Sequence, residues 1–273
     1  MKSKIFITVL LVCGLVCHGQ FISSEKMSHA TENMILNVKQ FGQFVKRFNY
    51  VEDFMGNAIE ADFAAQFPRN EYIKFLFNLK DSRLDESNPD FQKYNAKANA
   101  FIEYVCDGKR LISRNSDKII VSAECEVKYK NQIESLNLIL QQKYRNGGYC
   151  WEIVGAPNIG NFKVGNSDSE RSFIPPTNNE LNFTHLKRVF EDNENFIDYL
   201  DDNYQNSSLN ILKSFVEQGT IEFHHVKKMT YFIFDIEGWA IRVDEFVRDD
   251  VNSGWLIGNI ERWDGEPMKY VTK

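Results

Sequence analysis

His224 and His225 stand side by side in Thr220–Lys228, a run that reads as a strand. Successive strand side chains point to opposite faces, so only one of the two can look inward. His225 shares the odd-numbered parity of the apolar residues Ile221, Phe223 and Met229. That parity makes His225 the inward histidine, where an imidazole can serve as a general base. Asp235 and Asp244 are the carboxylates available to orient its ring. Tyr231 and Trp239 add aromatic surface of the kind on which sugars and other flat ligands rest. His225, Tyr231, Asp235, Trp239 and Asp244 therefore make up the candidate pocket. Each also has a plainer reading, as a packed aromatic, a solvated acid or a core histidine bonded to a backbone carbonyl.

Other chemistry finds little support. Adjacent strand histidines cannot both ligate one ion, and no Cys-x-x-Cys spacing is present, so no metal is expected. The acid pairs in Tyr199–Ser208 and Val247–Gly254 lack the oxygen-ligand spacing and bidentate Glu of a calcium loop, and read as solvated turns. There is no Gly-x-Ser-x-Gly and no glycine loop to cradle a phosphate, so no cofactor is expected. With 32 basic and 38 acidic residues the net charge is −6 and no basic stripe stands out, which argues against a nucleic-acid partner. Twenty-two phenylalanines are ample for a sizeable core, which argues against disorder.

The elements that must hold these residues fall into two halves. Residues 1–19 read as a signal peptide: Lys2 and Lys4, an uncharged run from Ile5 to Cys17, then Gly19. The run is too short to span a bilayer. Export to a periplasmic or extracellular location follows, with Cys106, Cys125 and Cys150 retained in strand-like runs as buried free thiols. From Met27 to Phe48, the residues Met34, Val38, Phe41, Val45 and Phe48 recur at gaps of four and three, the stripe of an amphipathic helix. Shorter helices are expected at Glu52–Phe67, Glu71–Leu79 and Phe91–Ala98. Strands are expected at Phe101–Cys106, Lys118–Lys130, Ile133–Tyr144 and Tyr149–Val154. A stretch rich in Pro, Gly and Asn follows as a linker, 157–179. The second half repeats the order. Helices are expected at Asn182–Phe190, Glu194–Leu200 and around Asn206–Gly219. Strands are expected at Thr220–Lys228, Thr230–Ile236, Trp239–Val247 and Trp255–Trp263. The turns before Trp151 and Trp255 match, as do Phe48/Phe54 and Phe190/Phe196, six residues apart in each half. We read this as a duplication, with one domain over 27–156 and a shorter one over 180–273.

The Met34–Phe48 stripe and the hairpins at Trp151 and Trp255 resemble the nuclear-transport-factor-2-like, or cystatin-like, roll. "RFNYVEDF" at Arg47–Phe54 and "SFIPPTNNELNF" at Ser172–Phe183 resemble secreted proteins of gut Bacteroidetes. The resemblance implies an α+β fold of two roll-like domains, each with N-terminal helices on a bent four-stranded antiparallel sheet. Rolls of this kind serve as enzymes, binders and scaffolds, so fold alone names no activity. The leading expectation is a secreted non-enzymatic binding module for a small molecule, glycan fragment or envelope protein. A hydrolase or isomerase with a His–Asp pair in a roll pocket, and a structural scaffold, are the alternatives.

Overall fold

The computed structural model describes residues 21–22, 37–38, 40–162, 185–204 and 208–272. The signal peptide, the first half of the Met27–Phe48 helix and most of the linker lie outside the described residues.

The chain forms an α+β structure around one sheet. Its six long strands are β2 (Ile119–Tyr129), β3 (Gln132–Arg145), β4 (Gly148–Gly155), β5 (Ile221–Ile233), β6 (Trp239–Phe246) and β7 (Ser253–Arg262). All six pair antiparallel, and a two-residue β1 (Asn37–Val38) lies parallel to β7. The order is β1-β7-β6-β5-β2-β3-β4. Two three-stranded meanders, one from each half, thus join through β2 and β5 into a single sheet. Two separate four-stranded sheets were expected, and two misread elements account for the difference. Phe101–Cys106 is helical and adds no strand to the first half. Thr220–Lys228 and Thr230–Ile236 run on as one strand, so the second half has three as well.

Seven α-helices occur among the described residues: α1 (Phe41–Phe48), α2 (Ala61–Gln66), α3 (Arg69–Lys74), α4 (Phe91–Asp107), α5 (Leu186–Glu191), α6 (Ser208–Glu217) and α7 (Pro267–Val271). In α4, Phe91, Tyr94, Ala98, Phe101, Ile102 and Val105 are buried, a three-and-four spacing that only a helix brings to one face. Cys106 therefore sits on a helix. Within the stripe expected over Met27–Phe48, the described helix begins at Phe41; Gln40 before it is extended, and Val38 pairs with Gly254 at the β7 edge. Residues 52–60 are a loop. There the Asp53 carboxylate accepts the amides of Met55 and Asn57, and Gly56 adopts φ +87°. The helix expected to reach Leu79 stops at Lys74, and the chain then bonds β7: the Asn78 amide donates to Ile257 O and the Ile257 amide to Leu76 O. Phe196–Tyr199 is a 3₁₀ turn.

One core runs across both halves. The inner sheet face carries Ile119, Val121, Ala123, Cys125 and Val127 from β2, with Trp151, Tyr231, Trp239 and Trp255 from other strands. Phe44, Phe48, Phe101, Leu212 and Phe215 cover it from α1, α4 and α6. On the outer face, at one end, Met268, Tyr270 and Val271 of the α7 segment pack on Ile120, Ile139, Phe232 and Phe234. Among the described residues no helix is long and apolar enough to cross a membrane.

Candidate functional site

The five residues singled out by sequence divide between the two faces of the sheet. Tyr231 and Trp239 are on the inner face and fully packed. Tyr231 stacks on Phe41 at 3.7 Å between ring centroids and meets Trp255 edge-on at 5.0 Å. Burial pushes its hydroxyl pKa up, and the hydroxyl has no hydrogen-bond partner. Trp239 packs edge-on against Phe101 at 5.1 Å, with the Arg262 guanidinium 4.0 Å from its ring centroid. Asp244 is buried on the outer face, where it accepts from Thr230 Oγ1 (2.9 Å) and Arg242 Nε (2.8 Å). Asp235 lies in the turn after β5 and accepts from the Ser113 amide (2.9 Å) and Ser116 Oγ (2.6 Å).

His225 corrects the parity argument. β5 slips twice against β2: Glu126 pairs with His225 and Val127 with Phe223, while Glu124 pairs with Lys228 and Cys125 with Val226. Each slip is a bulge in which β5 carries one extra residue, and an extra residue reverses the alternation beyond it. Val226 takes the position packed against the core, and the His225 side chain is turned out, 58% exposed. Its nearby carboxylate is Glu126, at 4.0 Å from Nδ1, and neither Asp235 nor Asp244 is among its ion-pair partners. His224 Nδ1 also lies 4.0 Å from Glu126 Oε1. Among the described residues no three His, Cys, Asp or Glu side chains gather into a set that could hold a metal ion. The three cysteines form no disulfide, and burial raises the pKa of each thiol.

A pocket of about 240 Å³ lies elsewhere, at the end of α1. Its construction starts from the way the helix stops. The Val51 amide donates to Lys46 O and the Tyr50 amide to Arg47 O, a Schellman ending, while Arg69 Nη2 donates to Phe48 O at 3.3 Å. That ending requires a left-handed residue, and Tyr50 supplies it at φ +59°. Tyr50 is held there because its hydroxyl donates to Phe67 O at 2.5 Å and its ring packs edge-on against Tyr72. The reversal leaves Asn49 facing the 110–114 segment. Its carboxamide takes the place of a strand neighbour: Nδ2 donates to Ile112 O and Oδ1 accepts from the Ile112 amide, both at 2.8 Å. Arg69 Nη2 adds a tie by donating to Arg110 O at 2.6 Å.

The space between these pieces is lined on one side by Gln40, Gly42, Gln43, Val45 and Lys46, and on the other by Asn49, Val51, Ile112 and Arg114. Val45 and Ile112 are buried and form an apolar floor, and Val51 is exposed at the rim. Lys46 pairs with Glu52 at 2.6 Å across the rim. None of the nine lining residues is acidic. A second pocket, shallower, opens between the β2–β3 hairpin and the start of β5, and there Lys128 is engaged with Glu222 at 3.5 Å. No sequence motif marks the α1 pocket, because its walls come from stretches more than sixty residues apart, one carrying Gln40, Gln43, Lys46 and Asn49 and the other Arg114. No protein-family model, curated protein or solved structure matches the chain.

Proposed function

We propose that the protein is an exported, non-enzymatic binding module that takes a small ligand in the pocket at the end of α1. The observation that carries this reading is the pocket itself: a buried apolar floor, Val45 and Ile112, beneath a rim bearing two cations, Lys46 and Arg114. Binding sites combine an apolar lining with a few placed polar groups in this way. The enzymatic alternative rested on a buried His–Asp pair, whereas His225 is solvent-facing beside Glu126. The basic start and short apolar run of residues 1–19 support export to the periplasm or beyond. The roll reading, and two related copies of one unit, rest on the paired meanders. In each, the third strand carries the landmark tryptophan, Trp151 in β4 and Trp255 in β7, and a helix precedes the first strand.

Gly42 gives the direct test. It lies within α1 and lines the pocket, so a bulky side chain placed there is expected to fill it. A fragment screen by ligand-observed NMR should find compounds whose signals are lost with Gly42→Leu. Hits that bind the Gly42→Leu protein equally well would refute the α1 pocket as the site.

A further inference from the structure

We infer that the apolar patch beneath α7 is an interaction surface for a second copy of this chain, which fills it with its own α7 in a reciprocal exchange. The patch is built by Ile120, Ile139, Phe232, Phe234 and Ala240, all buried, at one end of the outer sheet face. Its cover is the C-terminal segment, through Met268, Tyr270 and Val271. Tyr270 makes three ring contacts, edge-on to Phe232 at 5.9 Å, Phe234 at 5.8 Å and Trp263 at 5.1 Å between centroids. These contacts show what the patch accepts. A second copy carries the identical segment, so each contact made within one chain can also be made between two.

Three features make the cover exchangeable. The first is length. α7 has five residues, too few for a helix to hold by itself, so its form depends on the surface it lies on. The second is the way it is attached. Among the described residues no backbone hydrogen bond joins 264–272 to the sheet. The bonds there run from the Lys269 amide to Glu266 O and from the Thr272 amide to Met268 O, inside the segment. The ion pair of Lys269 with Glu266 at 3.0 Å is internal as well. Departure of α7 therefore gives up side-chain contacts, and an identical set is regained on the other copy. The third is the hinge. Asp264, Gly265 and Glu266 are exposed, and a Cβ on Gly265 would stand 3.0 Å from Cζ2 of Trp263. The closed arrangement folds the chain tightly back over the Trp263 ring, and a side chain at position 265 would crowd it.

The reach of the hinge fixes the form of the dimer. Three extended residues span about 10 Å, so α7 can cross to another chain only where the two patches lie close together. The two copies therefore meet outer face to outer face across a two-fold axis, each strapped by the other. The exchanged contacts are apolar, so added salt should not dissolve the pair.

The test uses the full chain. Sedimentation equilibrium should show a monomer–dimer equilibrium, and Gly265→Val, by crowding the closed hinge, should shift it about tenfold toward the dimer. Tyr270→Ala removes a contact that the exchanged form needs twice, and should weaken the dimer about tenfold. If Tyr270→Ala strengthens association instead, bare patches are pairing and the exchange is overturned. A mixture of unlabelled and nitrogen-15-labelled chains, joined by a lysine-reactive crosslinker, reads the exchange directly. Lys118 lies beside the patch, where its carbonyl accepts the Phe234 amide. In the dimer, Lys269 should link to Lys118 of the other isotope, and in the monomer to Lys118 of the same one. Dimer links confined to one isotope would overturn the inference. So would a Gly265→Val protein that is folded by circular dichroism and, like wild type, monomeric at every concentration.

Discussion

Asn49→Asp changes one amide nitrogen to oxygen and should be costly in a way that depends on pH. In the wild-type protein Asn49 both donates to and accepts from Ile112, each bond at 2.8 Å and partly buried. Asn49→Ala removes both bonds and leaves two backbone groups short of partners. At about 1–2 kcal/mol for each partly buried group, the loss is about 2–4 kcal/mol. Asn49→Asp keeps the bond from the Ile112 amide but sets a carboxylate oxygen against the Ile112 carbonyl, acceptor against acceptor. The ionised variant should therefore be about as unstable as the alanine one. A protonated carboxyl regains a donor and can bond Ile112 O. Folding thus favours the protonated form and raises the folded-state pKa above the unfolded value of about 3.9. The sign follows from linkage. The bond is fully present below about pH 3.9 and is lost as pH rises through the raised folded pKa. Urea denaturation of wild type, Asn49→Ala and Asn49→Asp at pH 4.5 and 7.5 measures it. The gap between wild type and Asn49→Asp should be about 2–4 kcal/mol at pH 7.5 and clearly smaller at pH 4.5, while the alanine gap stays constant. Equal gaps at both pH values, or an aspartate variant as stable as wild type at pH 7.5, would refute the clamp.

Two further outcomes concern parts of the fold outside the pocket. Lys109 is exposed and left-handed, at φ +46°, where α4 ends with the same amide-to-carbonyl pattern as α1, and Gly108 beside it has φ −81°. Lys109→Gly should relieve about 1–2 kcal/mol of strain against about 0.4–1 kcal/mol of added unfolded-state entropy. A small net gain should appear as a rise of a few degrees in Tm at most, and a fall would count against it. Burial pushes the Cys125 thiol up to about 12 and leaves half-buried Cys106 nearer the surface. At pH 8 a thiol reagent should label Cys106 first and reach Cys125 only in urea, and rapid labelling of Cys125 in the native protein would contradict its place in the core.

The long hairpins were legible from sequence because each strand pattern is local. "KIIVSAECEVKY" alternates cleanly, and the reversals on either side of β3 use Lys130–Asn131 and Asn146–Gly147, all at positive φ as two-residue hairpin turns require. The end of α6 was legible for the same reason, with Gly219 at φ +61°. The extent of α4 was not read, because Phe101–Cys106 is as apolar as a strand and only its continuity with Phe91, Tyr94 and Ala98 marks a helix. The facing of His225 could not be read either. The two bulges that turn it outward exist only in the pairing with β2, and nothing in Thr220–Lys228 alone encodes them. Aromatic weight drew the site expectation to Tyr231 and Trp239, which are spent on packing. The α1 pocket was missed because a cleft walled by a helix end and a distant loop has no period and no motif.

The seam between β2 and β5 has a consequence for how the chain reaches this state. Their partners are about a hundred residues apart, so the middle of the sheet closes late, after a costly loop has been ordered. Until β5 arrives, β2 presents a full row of unpaired amides and carbonyls beside an apolar face that lacks its other half. Such an edge is a template for pairing with another copy. A fragment ending at the linker would carry that edge permanently, and should either self-associate or be rescued by a second fragment that supplies β5 to β7.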